Sequence, residues 1–148
     1  MKYFLRPIGV ILCLQVWSCT VSVNYYFRNL TKNTVQLILV TAEGPMVERF
    51  SFAYSQDVSK RPKFASFKTF DKVLPGKPLG NLVTCDLPAM STLYVGPGSN
   101  FNPFFSKAIV AYENKVDTIY FNDLIQVRTN RTLFSYAAWI DYDGRSQK

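Results

Sequence analysis

The sequence predicts an all-β fold in one domain. Short runs rich in Val, Ile, Thr, Tyr and Phe recur along most of the chain, and these residue types suit a pleated, half-buried surface. Several runs alternate apolar and polar residues with a period of two, as a strand with one buried face requires. Breaks rich in Pro, Gly and Asn separate them. The length of 148 residues corresponds to one domain at roughly 150 residues each. With 48% hydrophobic and 18% charged residues, the chain is neither a disordered polymer nor a coiled coil.

The N-terminus is set apart from this pattern. Lys2 and Arg6 precede an apolar run from Ile8 to Trp17, broken only by Gln15. A membrane-spanning helix needs about 20 apolar residues, so this run has instead the length of a signal-peptide core. Val16-Trp17-Ser18-Cys19 resembles the lipoprotein box of bacterial lipoprotein precursors: an aliphatic residue, a small residue before the cut, and a cysteine to be acylated. The resemblance implies a signal peptide over 1–18, a lipid on Cys19, a lipid-anchored N-terminus over 19–21, and one folded domain over 19–148. Thr20 stands where an inner-membrane retention signal would place Asp, which implies the outer membrane. The alternative is ordinary cleavage, giving a secreted or periplasmic soluble protein in which Cys19 and Cys85 can bridge. In the acylated form Cys13 leaves with the signal and Cys85 remains single, expected as a small buried side chain.

The elements follow in order. Val21, Val23, Tyr25 and Phe27 alternate with Ser22, Asn24, Tyr26 and Arg28, a first strand. Asn29–Asn33 reads as a turn and Thr34–Thr41 as a second strand. Glu43–Pro45 breaks the chain, and Phe50, Phe52 and Tyr54 then share one face of a third. Phe64, Phe67 and Phe70 recur every three residues, which predicts a short helix at about Ala65–Lys72. Strands are then expected over Leu79–Cys85, Thr92–Val95, Lys107–Glu113, Val116–Phe121, Leu124–Arg128 and Leu133–Tyr142. Asn114-Lys115 and Asn130-Arg131 read as hairpin turns, because Asn tolerates the left-handed conformation. This array predicts an antiparallel β-sandwich of about 7–9 strands, immunoglobulin-like or transthyretin-like. The alternative is a small lipocalin-like barrel, although neither a Gly-x-Trp near the first strand nor the immunoglobulin Cys…Trp…Cys spacing is present.

The functional reading begins from an absence. The chain has no histidine, which excludes Ser-His-Asp and Cys-His nucleophiles and His-containing zinc sites within one chain. The expected protein is not an enzyme and carries no cofactor or metal. Two segments are candidates for binding. Lys60, Arg61, Lys63 and Lys68 lie in a basic stretch that runs on to Lys72 and Lys77, with Asp71 its one acid. In an exported protein such a patch points to anionic headgroups or acidic glycans rather than nucleic acid. Phe101, Phe104 and Phe105 follow Gly96-Pro97-Gly98, which reads as an exposed turn carrying aromatics for a protein or sugar partner. Asp141-Tyr142-Asp143-Gly144 holds only part of a calcium-loop pattern and reads as a turn. Asn29-Leu30-Thr31 and Asn130-Arg131-Thr132 match the N-glycosylation acceptor in predicted turns, and Asp117-Thr118-Ile119 resembles a short bacterial O-glycosylation motif with Thr118 in a strand.

Together these features predict a non-catalytic cell-envelope lipoprotein that binds a protein or glycan partner. It resembles the small accessory lipoproteins of secretion and surface machines. The alternatives are a carrier barrel for an apolar ligand and a hydrolase using carboxylates alone. Replacing the anchor residue, Cys19→Ala, is expected to abolish incorporation of radiolabelled palmitate in growing cells; labelling that survived would exclude acylation at this position.

Overall fold

The computed structural model describes residues 22–42, 44, 50–58, 70–99, 102–123, 128–132 and 135–145. Eleven strands are present among them: β1 (Ser22–Asn29), β2 (Val35–Thr41), β3 (Phe50–Ser55), β4 (Lys72–Leu79), β5 (Leu82–Leu87), β6 (Ser91–Ser99), β7 (Asn102–Pro103), β8 (Phe105–Tyr112), β9 (Lys115–Tyr120), β10 (Arg128–Thr132) and β11 (Ser135–Tyr142). The described residues contain no helix. Lys72, the expected end of a helix, instead begins β4. Residues 65–69 lie outside the described residues.

The strands form one mixed, curled sheet in the order β10-β11-β1-β6-β3-β4-β5-β2-β8-β9, with β7 on β6. Pairings are antiparallel except β1 with β11, which run parallel with Tyr26 opposite Trp139. A purely antiparallel arrangement was the expectation. Sequence distance allows the difference: β1 and β11 lie at opposite ends of the domain, so no tight hairpin dictates their direction.

The sheet curls at β4. Lys72–Gly76 pair with β3, whereas Lys77–Leu79 pair with β5. Each half of β4 therefore has a ladder on one side. Pro75 and Pro78, which donate no hydrogen bond, are tolerated for this reason. Gly76 stands at the exchange point, where a Cβ would lie 2.7 Å from Val83 Cγ1 and 3.1 Å from Phe52 Cε2. Only a residue without a side chain lets these two inward-facing groups approach from opposite halves of the sheet. The expected strand over Leu79–Cys85 is thereby corrected: Gly80-Asn81 is a turn within it, and Leu79 and Leu82 pair across a hairpin.

Inside the curl lies one apolar core. Val23, Tyr25 and Phe27 of β1 meet Leu37 and Leu39 of β2, Phe52 of β3, Val83 and Cys85 of β5, and Ile140 of β11. The period of two set out by the sequence places these side chains inward. Each fully buried aliphatic or aromatic residue contributes about 1.5–3 kcal/mol. Ring contacts join the two halves directly, with Phe50 and Phe52 of β3 at 5.9 and 6.2 Å from Phe105 of β8.

Three further expectations change. The hairpin between β8 and β9 turns at Glu113-Asn114, one residue early, with Tyr112 opposite Lys115 and Glu113 at φ 53°. Asn130-Arg131 lies within β10 rather than in a turn. Asn29 is the last residue of β1 and fully buried. Its Nδ2 donates to the carbonyls of Asn33, Leu87 and Pro88 at 2.9, 3.2 and 2.8 Å. Its Oδ1 accepts from the Thr31 N–H at 3.0 Å. A side chain so occupied is a tie between two loops, not an acceptor for a glycan. Thr118 lies in a strand as expected, and is exposed.

Gly76→Ala is expected to destabilise the domain by about 1–3 kcal/mol, the usual cost of forcing a methyl group into a packed core. Equilibrium denaturation should show a lower midpoint with an unchanged slope; an unchanged midpoint would show that the exchange point has room to spare.

Candidate functional site: an apolar cleft at one end of the sheet

The candidate site is built where β1, β6, β7 and β8 come together. β6 does not stop at Gly96. It continues to Ser99, pairing Gly96 with Tyr25, Pro97 with Asn24 and Gly98 with Val23. The exposed turn expected at Gly96-Pro97-Gly98 is therefore a strand. A register shift between Tyr25 and Tyr26 makes the difference. Gly96 absorbs it with φ 141°, a conformation closed to side-chain-bearing residues. The chain reverses after Ser99 and returns as β7, with Pro103 opposite Gly98.

This return leaves a shallow open depression, too small to enclose a water molecule, lined by Tyr25, Val95, Gly96, Pro97, Pro103, Phe104, Phe105 and Phe121. Its floor is rigid. The Tyr25 and Phe121 rings stack at 5.9 Å, and Phe105 is fully buried in the core. Its rim is Phe104, 46% exposed and set edge-on to Phe105 at 5.0 Å. The backbone beneath Phe104 is held as well: Ala42 N–H donates to its carbonyl at 3.0 Å. Of the three expected aromatics, the structure presents Phe104 to solvent and assigns Phe105 to the core. Phe101 lies outside the described residues. Tyr25, Pro103 and Phe121 join the site without having been singled out as site residues, because neither spacing nor composition marks residues brought together from three distant segments.

The cleft offers shape and apolar contact, and little proton chemistry. Burial raises the Tyr25 phenol above its ordinary value, so it stays protonated at neutral pH. The acids expected to matter elsewhere are engaged. Asp141 receives a bidentate pair from Arg28 at 2.7 and 2.5 Å. Asp117 accepts from the Tyr142 hydroxyl at 2.9 Å. Asp143 accepts from the Arg145 N–H at 3.0 Å. Among the described residues no three metal-ligating side chains converge. Lys60, Arg61, Lys63 and Lys68 all lie outside the described residues. Lys72 donates to Gln56 Oε1, and Lys77 is exposed on β4.

A second aromatic group lies on the outer side of the sheet. Tyr26 and Trp139 point away from the core yet are buried, stacked 4.4 Å apart. Phe70 and Tyr94 flank Tyr26 at 5.6 and 5.4 Å. The Arg28 guanidinium lies 5.6 Å from the Trp139 ring. Tyr26 is pushed up to about 12 by burial and by Tyr94 beside it. Trp139 Nε1 is buried with no hydrogen-bond partner, an omission that costs about 1–3 kcal/mol. The three consecutive aromatics Tyr25-Tyr26-Phe27 are the sequence signal for a strand buried on both faces.

Cys85 is buried among the aliphatic side chains of the core, and desolvation, with Asp86 adjacent, pushes its thiol up to about 12. The thiol is therefore protonated and covered at pH 8. Maleimide labelling mapped by peptide mass spectrometry should leave Cys85 unmodified in the native chain and modify it in denaturant; rapid native labelling would contradict its burial. No protein-family model matches the chain, and no curated protein or solved structure matches it.

Proposed function

We propose that this chain is a non-catalytic, lipid-anchored binding module of a bacterial cell envelope, and that Phe104, at the rim of the shallow apolar cleft, packs against a partner protein. The observation that carries this reading is Phe104 itself: a large aromatic, 46% exposed, at the rim of a shallow apolar cleft with a packed aromatic floor. Aromatic side chains are frequent anchors of protein interfaces. The lining is almost wholly apolar. A sugar would require donors and acceptors around its ring, so a protein partner fits better than a glycan. The curled sheet serves as a β-sandwich of the immunoglobulin-like or transthyretin-like kind. The inner rings of β3 and β8 are in contact, which favours a filled interior over a carrier cavity.

The anchor gives this end of the sheet its direction. Ser22 opens β1, and Val23 is paired to Gly98, which is paired in turn to Pro103. Ser22 lies three residues beyond Cys19, a reach of at most about 11 Å. An acylated Cys19 therefore holds the cleft close to the headgroups, where the partner is a protein at the membrane surface.

A photo-crosslinking residue at Phe104 is expected to capture a discrete envelope protein in intact cells, and one at Lys32, exposed in the turn after β1, is not. With that protein in hand, Phe104→Ala should weaken its binding by roughly 5–30-fold, the range for an anchor worth 1–2 kcal/mol. Equal capture from both positions, or binding insensitive to Phe104→Ala, would reject the cleft as the docking site.

A further inference from the structure

Register fixes which residues share the end of the sheet at which β1 begins. Ser22 lies opposite Ser99, and Phe50 opposite Gly76. Beyond the exchange point Leu79 pairs with Leu82, Leu82 with Val40, Val40 with Lys107, and Lys107 with Tyr120. β4 and β9 both run toward this end and finish there, at Leu79 and Tyr120. The turns at this end are tied together. Thr41 N–H donates to the Asn81 carbonyl at 2.9 Å, and Ala42 N–H to the Phe104 carbonyl at 3.0 Å.

Two side chains project from this end on separate strands. Leu79 is 76% exposed and Tyr120 53%. Each has a lysine beside it. Lys77 is exposed on the same side of β4, two residues behind Leu79, or about 7 Å along the strand. Lys107 Nζ lies 5.9 Å from the centre of the Tyr120 ring. Among the described residues the acid at this end is Asp123, whose N–H donates to the Tyr120 carbonyl at 3.2 Å.

We infer that Leu79 and Tyr120 rest in the headgroup layer of the bilayer that holds Cys19, with Lys77 and Lys107 on its phosphates, so that the domain stands on this end. This orientation rests on the lipid-anchor reading above. The short lead commits the contact to lipid. Ser22 lies three residues beyond Cys19, at most about 11 Å, and an acylated Cys19 lies in a headgroup layer about 5–7 Å deep. The opposite end of the strands is about 20 Å further away. Side-chain chemistry fits the depth. An amphipathic ring such as that of Tyr120 favours the membrane interface. Lysine stems lie along apolar surface while their ammonium groups meet anionic headgroups. A single acylated lead fixes where the domain is and not how it is turned. Leu79 and Tyr120, four strand spacings or about 19 Å apart, fix both. The opposite end exposes Val73, Met90 and Val116, and so supplies control positions of similar polarity.

The full chain, purified with its lipid and reconstituted into vesicles of phosphatidylethanolamine and phosphatidylglycerol, provides the test. Leu79→Cys, Tyr120→Cys, Val73→Cys and Val116→Cys are labelled singly with a nitrobenzoxadiazole maleimide; Cys85 is covered in the core. Emission at residues 79 and 120 is expected to shift to the blue and to be quenched by nitroxide-bearing lipid. Emission at residues 73 and 116 is expected to stay water-like and unquenched. Adding Lys77→Glu/Lys107→Glu should remove the shift at residue 79 while the acyl chains keep the protein on the vesicles. A protein that floats with the vesicles yet is unquenched at 79 and 120 would overturn the contact and leave the anchor standing. Equal quenching at all four positions would also overturn it, as would a shift at 79 indifferent to Lys77→Glu/Lys107→Glu. A purified chain whose mass shows no acyl group on Cys19 would overturn the anchor, and this orientation with it.

Discussion

A sheet of ten hydrogen-bonded neighbours has to bury its own inner face, and it does so by letting one strand change partners. β4 pairs with β3 through Gly76 and with β5 beyond it. The core, the ring contacts between β3 and β8, and the position of both sheet edges follow from that exchange. The constraint is steric as much as hydrogen-bonded. Phe52 and Val83 converge where Gly76 has no Cβ, at a point where the strand has no side chain to interpose.

A second constraint acts at the other end of the sheet path. β1 lies between β6 and β11 and is buried on both faces. Its inner residues enter the core. Its outer Tyr26 stacks on Trp139, and Arg28 pairs with Asp141 directly opposite in the parallel ladder. A bidentate, charge-assisted pair is directional and suits a parallel register that no hairpin defines. Asn29 then closes the strand by satisfying three carbonyls across two loops. These polar contacts set alignment, while apolar burial supplies most of the stability.

The surface divides accordingly. One outer face buries Tyr26 and Trp139, the other leaves Leu79, Val116 and Tyr120 exposed, and the cleft sits at the end of the sheet where β1 begins.

The sequence by itself determined the class of fold and the content of the core. Alternation in Val23, Tyr25 and Phe27, or in Phe50, Phe52 and Tyr54, is a local property of strands and was legible without coordinates. Absence of histidine likewise limited the chemistry before any geometry was known. Tertiary structure decided what depends on residues far apart in the chain. Pro75, Gly76 and Pro78 fall between the elements expected from the sequence, and Gly96-Pro97-Gly98 reads locally as a turn. Both segments are strands, because neighbouring strands distant in sequence supply their pairing, one side at a time along β4 and from both β1 and β7 at Gly98. Phe104 and Phe105 are chemically identical neighbours in the sequence. Alternation at the entry to β8 and the packing of β3 against it send one into the core and leave the other at the rim of the cleft.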